Sequence, residues 1–101
     1  MANTNMSLPY CVYVLFSLKD KLLYIGYTTD LEKRFDAHCK GYSEATAPRK
    51  PFILLFCEYY LAMKDAKRRE GYFKTTAGKK ALKIMLRESL KQAIISPDIV
   101  C

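Results

Sequence analysis

The alternation of apolar and polar positions divides the chain into six elements. Cys11-Val-Tyr-Val-Leu-Phe16 and Leu22-Leu-Tyr-Ile-Gly-Tyr27 are short runs rich in β-branched and aromatic residues, separated by the polar Lys19-Asp20-Lys21. They predict a β-hairpin. A loop of two or four residues would set Tyr13 opposite Gly26, with Tyr24 diagonal to it on the same face, so that two phenols converge beside a glycine that leaves room for a ligand. Thr29 and Glu32 have the spacing of a capping box, and Leu31, Arg34, Phe35 and His38 then share one face of a helix that Gly41 can end in the left-handed conformation. After a loop from Tyr42 to Pro51, Phe52 to Tyr60 predicts a third strand. From Leu61 the period becomes helical, with Ala62, Ala66, Glu70 and Phe73 on one face, until Thr75-Thr-Ala-Gly78 interrupts it. A last helix is expected over about Lys79 to Ala93, with Leu82, Leu86 and Leu90 on one side and Lys80, Lys83, Arg87 and Lys91 on another.

The order β-β-α-β-α-α predicts an α+β fold, a three-stranded antiparallel sheet flanked by helices. One domain is expected over residues 10–93, preceded by a lead of residues 1–9 and followed by a tail of residues 94–101. Half of the 101 residues are apolar, and eight tyrosines and five phenylalanines supply large packing pieces, so a core of ordinary size needs no metal or disulfide. The four cysteines, Cys11, Cys39, Cys57 and Cys101, show no C-x-x-C pair and read as reduced thiols of a cytoplasmic protein. No signal-like segment opens the chain, and its longest apolar stretch, Phe52 to Phe56, is too short to span a bilayer. Secretion and membrane insertion are therefore not expected.

Charge changes the picture. The net charge is +7, and the segment from Lys64 to Lys91 holds all of the excess, ten basic residues against three acidic ones. Such a block is the electrostatic footprint of a polyanion binder, or else a solvated helical face. Three polar residues also stand where apolar ones are expected. Arg34 and His38 lie on the core-facing stripe of the first helix, where a phosphate is one partner that would satisfy them. Glu70 follows Ala62 and Ala66 at helical spacing, which suits either a Mg²⁺ ligand or an internal pair with Arg34 or a neighbouring lysine.

Val12-Tyr13, Tyr24-Ile25-Gly26, the later Arg34 and His38, and Arg69-Glu70 in a further helix together resemble the GIY-YIG nuclease superfamily, in particular its small stand-alone bacterial members. The likeness runs from about Tyr10 to Leu90. It implies a divalent-metal-dependent endonuclease that hydrolyses DNA phosphodiester bonds using Mg²⁺ or Mn²⁺. Tyr13 would be the general base or would position the attacking water, and Tyr24 would hydrogen-bond near the nucleophile or phosphate. Arg34 would stabilise the transition state, His38 would assist proton transfer, and Glu70 would hold the metal. The candidate strand-holding cations are Arg49, Lys67, Lys74, Lys79, Lys80, Lys83 and Arg87. With no further module in these 101 residues, recognition by backbone and shape is expected, on branched or single-stranded DNA, in repair or processing near the nucleoid, with a protein partner or a second copy as further options. Two departures stand out: Cys11 occupies the place of the first motif's glycine, and no Asn follows Glu70, where many family nucleases carry one. The second leaves a non-catalytic nucleic-acid-binding or adaptor module as the alternative.

Overall fold

In the computed structural model, which describes residues 7–95, three strands form one antiparallel sheet: β1 (Tyr10–Ser17), β2 (Leu23–Thr28) and β3 (Phe52–Tyr60), in the order β2-β1-β3. Being central, β1 is covered on both faces, which is why its apolar run is nearly continuous and why every residue from Cys11 to Ser17 is buried. Val12 and Val14 point to one side, where Ala66, Phe73, Leu82 and Leu86 meet them. On the same side Phe16 packs with Ile53 and Ala93. Cys11, Tyr13 and Leu15 point to the other, against Leu31 and Phe35. Four helices supply these covers: α1 (Leu31–Cys39), α2 (Met63–Phe73), α3 (Thr76–Met85) and α4 (Arg87–Ile95). The expected α+β architecture is the observed one.

The hairpin register is the one that a four-residue loop dictates. Tyr13 pairs with Gly26, and Ser17 N donates to Leu22 O at 3.0 Å across the turn. Ser17 Oγ accepts from the backbone of Lys19 and Asp20 and donates to the carbonyl of Arg49 at 2.6 Å. Arg49 reaches back to the Asp20 carboxylate at 2.5 Å and to the carbonyls of Leu22 and Leu23. The hairpin turn and the loop after α1 are thus latched together. Between β1 and β3 the pairing shifts after Val14, where Leu55 is the extra residue of a bulge.

Three expectations need correction. The cap of α1 is Asp30, not Thr29: its carboxylate accepts from Lys33 N at 3.2 Å, while Thr28 Oγ1 accepts from Asp30 N. A charged acceptor suits a helix N-terminus better than a hydroxyl does, and starting at Leu31 keeps Leu31, Phe35 and His38 toward the sheet. The last helix is two helices. The ladder runs on through Leu86, with Leu86 N to Leu82 O and Leu90 N to Leu86 O both at 2.8 Å, but the axis turns there. Leu82 and Leu86 belong to the core under α2, whereas Leu90 and Ala93 pack with Phe16 and Ile53 nearer the sheet edge, and one straight helix would not serve both. Finally, Cys11 and Cys57 are free but Cys39 is disulfide-bonded, contrary to the expectation of reduced thiols; Cys101 and most of the expected tail lie outside the described residues.

The Thr75 to Gly78 segment is a cap rather than a gap. Thr75 Oγ1 accepts from Gly78 N at 3.0 Å and opens α3 one residue later. Gly78 is there because α3 crosses close to the end of α2: a Cβ on it would overlap the Tyr72 carbonyl. Backbone cannot yield as a side chain does, so Gly78→Ala is expected to cost about 1–3 kcal/mol, read as a lowered denaturation midpoint with an unchanged m-value.

Candidate active site

Tyr13 brings its phenol to the underside of α1. The ring lies directly over Gly26, so the space that the missing side chain leaves is filled by the Tyr13 phenol itself and not by a ligand. This corrects the expectation of an open slot between two tyrosines. Tyr13 and His38 are both fully buried, and Tyr13 Oη lies 2.8 Å from His38 Nε2. The other ring nitrogen, Nδ1, is 2.7 Å from Thr46 Oγ1, itself fully buried in the loop that the Arg49 latch holds. From the solvent side, Arg34 Nε donates to Tyr13 Oη at 3.4 Å. Tyr24 completes the cluster, its ring edge-on to His38 at 5.2 Å and 6.4 Å from the Tyr13 ring.

Donor and acceptor arithmetic orders this chain. Arg34 can only donate, so the Tyr13 hydroxyl accepts from it and must donate elsewhere. Its nearest partner is His38 Nε2, and donation there goes with an unprotonated Nε2 and an Nδ1–H that donates to Thr46 Oγ1. Electrostatics agree. Burial and the nearby Arg34 cation hold the His38 pKa below its ordinary value of 6.5, which favours the neutral ring. Burial pushes the Tyr13 phenol up from 10.0, and the Arg34 hydrogen bond opposes that shift without cancelling it. At neutral pH the site is a phenol donating to a neutral imidazole.

A measurement on the resting protein checks the assignment. Nitrogen shifts of His38 should report the Nδ1–H form, and Thr46→Val should move the ring toward the other tautomer while costing about 1–3 kcal/mol for the orphaned donor. Because the folded pKa of His38 is depressed, its contribution to stability is present above 6.5 and is lost as the pH falls through the lower folded value. His38→Gln should remove that part of the acid dependence.

Glu70 approaches from α2. Its side chain is only 16% exposed, and Lys74 Nζ lies 3.0 Å from one carboxylate oxygen while Lys67 Nζ lies 3.8 Å from the other. Its charge is felt at Tyr13 and Tyr27, which it pushes toward higher pKa. The anticipated internal pair is thus formed with lysines and not with Arg34. Lys67 also sits over the Tyr27 ring at 4.1 Å, and that ring stacks on Tyr10. Among the described residues no three His, Cys, Asp or Glu side chains group closely enough to share a metal ion.

The GIY-YIG catalytic domain matches residues 9–83. The chain belongs to the GIY-YIG family. It is 35% identical to UPF0213 protein CPE1444 of Clostridium perfringens over 87% of this chain and 95% of that one. It is also 36% identical to UPF0213 protein YazA of Bacillus subtilis, over 81% and 85% respectively. Among solved structures, the solution NMR structure of UPF0213 protein BH0048 from Bacillus halodurans superposes with a TM-score of 0.52 at 27% identity, covering 85% of this chain and 96% of that one. The domain is therefore nuclease-like, of the small bacterial type.

Within this GIY-YIG domain, Tyr13, Tyr24, Arg34 and His38 form one contiguous group, and Glu70 on α2 lies within electrostatic reach of Tyr13. The candidate strand-holding cations divide by their partners. Lys67 and Lys74 attend Glu70. Arg49 is spent on the hairpin latch. Lys79 and Lys83 face a hollow beside the hairpin, and Lys80 and Arg87 are exposed, Arg87 donating to the Ile84 carbonyl. Thr46 was missed from the sequence, because a threonine in an irregular loop carries no periodic signal. No helix among the described residues is long and apolar enough to cross a membrane.

Proposed function

We propose that this GIY-YIG domain is a divalent-metal-dependent endonuclease that hydrolyses DNA phosphodiester bonds with low sequence specificity. The observation that carries the reading is the hydrogen-bonded chain from Arg34 through Tyr13 and His38 to Thr46. A buried phenol is a poor phenolate base, but one that already donates to a neutral imidazole can pass a proton on. The attacking water gives a proton to Tyr13 Oη as Tyr13 gives its own to His38 Nε2. The oxygen of that water bonds to phosphorus, and the leaving oxygen departs with the electron pair of the broken bond. Thr46 keeps the imidazolium oriented through Nδ1–H. Arg34 is exposed and its bond to Tyr13 is the longest of the chain, so it is the contact that a phosphate displaces, which uncovers the phenol and puts the guanidinium on the developing negative charge.

Glu70 fits a hard cation that takes one protein carboxylate and keeps most of its waters, Mg²⁺ or Mn²⁺. The carboxylate is largely shielded from solvent, its present partners are two lysines whose side chains are more than half exposed, and it lies within electrostatic reach of Tyr13. A divalent ion held there would supply charge neutralisation at the scissile phosphate and the leaving oxygen. Backbone-directed binding fits branched or single-stranded DNA in repair or processing, in the cytoplasm near the nucleoid, alone or with a protein partner or second copy. The absence of Asn after Glu70 favours one alternative, a binding module that has lost efficient chemistry.

Cleavage of single-stranded, duplex, flap and branched DNA with Mg²⁺ or Mn²⁺ separates the two. Wild type should cut and Glu70→Ala should not, with binding of both strongly weakened by salt. Equal cutting by both would mark a contaminant, and binding without cutting by wild type would establish the binding module.

A further inference from the structure

A large recess lies away from the Tyr13 cluster. It lies between the tip of the β1–β2 hairpin and helices α3 and α4, with a volume of about 670 Å³. Its floor and walls are aliphatic, Leu22, Leu23, Leu90 and Ile94 around the edge of Phe16, and its rim carries Lys21, Arg49, Lys79 and Lys83. Among the described residues, no acidic side chain lines it.

We propose that this hollow binds an amphipathic anion, a single aliphatic chain ending in a carboxylate or phosphate.

Four observations support this. The volume is within the range of small-molecule sites, about 300–1,000 Å³. Two of the wall residues, Leu22 and Ile94, are each 60% exposed, an apolar surface that water covers poorly and that an acyl chain would cover. Of the four cations only Arg49 has a carboxylate partner; Lys21, Lys79 and Lys83 form no ion pair among the described residues. Lys21 moreover holds its place at φ +62, a left-handed conformation that glycine or asparagine adopts at less cost. The walls also say what the ligand is not. The Leu22 and Leu23 carbonyls are already engaged by Arg49, and the floor offers no aromatic face beyond the edge of a nearly buried Phe16, so a nucleobase would find no stacking partner. The recess suits one chain entering end-on, a free amphiphile rather than the flat surface of a bilayer. Lys79 and Lys83 thereby have a role separate from Lys80 and Arg87, and the site does not depend on the nuclease reading.

Titration calorimetry with laurate, below the concentration at which it forms micelles, tests the site on the intact chain. One molecule should bind per chain, and each shortening by two carbons should weaken binding roughly fifteenfold, since each buried methylene is worth roughly a factor of four. Dodecanol, with the same chain and no charge, should bind at least tenfold more weakly. Lys79→Gln with Lys83→Gln should weaken laurate about tenfold, and Ile94→Glu, at an exposed position, should abolish binding. Lys80→Gln with Arg87→Gln should leave laurate affinity unchanged. Equal affinity for dodecanol, an unaffected Lys79/Lys83 variant, no laurate binding at millimolar concentration, or binding only to phosphatidylglycerol vesicles would each overturn the proposal.

Discussion

Tyr13→Phe is expected to lower the rate of DNA cleavage by about 10²- to 10⁴-fold, the range ordinarily supplied by a positioned acid or base, with little effect on substrate binding. The variant keeps the ring that packs over Gly26 and loses only the oxygen that joins Arg34 to His38. It also leaves His38 Nε2 as a buried acceptor without its donor, which should cost about 1–3 kcal/mol of stability. That cost alone would leave a folded protein at moderate temperature, so rate and stability can be read separately. The wild-type rate should fall on acidification below the ordinary histidine value of 6.5, as His38 takes up a proton and can no longer accept one from Tyr13. In Tyr13→Phe the residual rate should lose that acid limb. Undiminished cleavage by Tyr13→Phe would refute the relay, and an unchanged acid limb would place the titrating group elsewhere.

The second large effect is expected at Gly26. A Cβ there would fall inside the Tyr13 phenol, and although the atoms met belong to a side chain, that side chain has nowhere to go: Tyr13 is fully buried and tied to His38. Gly26→Ala should therefore cost about 1–3 kcal/mol from overpacking and, because the phenol must leave its line between Arg34 and His38, should reduce cleavage on the order of 10²-fold. The His38 tautomer is the discriminating readout. It should become mixed in Gly26→Ala as the Tyr13 donor moves away, whereas a merely destabilised fold would retain it. Gly26→Ala with wild-type activity and a single tautomer would show that the phenol does not need its present position.

Much of the fold was legible because its elements are local. β3 begins and ends where the apolar run does, the Tyr13 and Gly26 pairing follows from the parity of a four-residue loop, and Gly41 ends α1 at φ +75 as a left-handed cap. What failed was also physical. Thr29 and Asp30 both have capping side chains, and propensity does not choose between them; the side of α1 that must face the sheet does. The turn at Leu86 has no glycine or proline to announce it, since it arises only where α3 and α4 follow different neighbours. Likewise a basic block has no geometry in one dimension. Folded, it separates into Lys67 and Lys74 at Glu70, and Lys79 and Lys83 around an aliphatic hollow.

By itself, then, the sequence determined the strands, the Tyr13–Gly26 register and the family, because these depend on the order and period of side chains. The tertiary structure alone decided that the Tyr13 phenol fills the space over Gly26 and that Tyr13, His38 and Thr46 join in one buried hydrogen-bonded chain. Those properties depend on burial and on which donor meets which acceptor, and both are settled only when segments far apart in the chain come within 3 Å of one another.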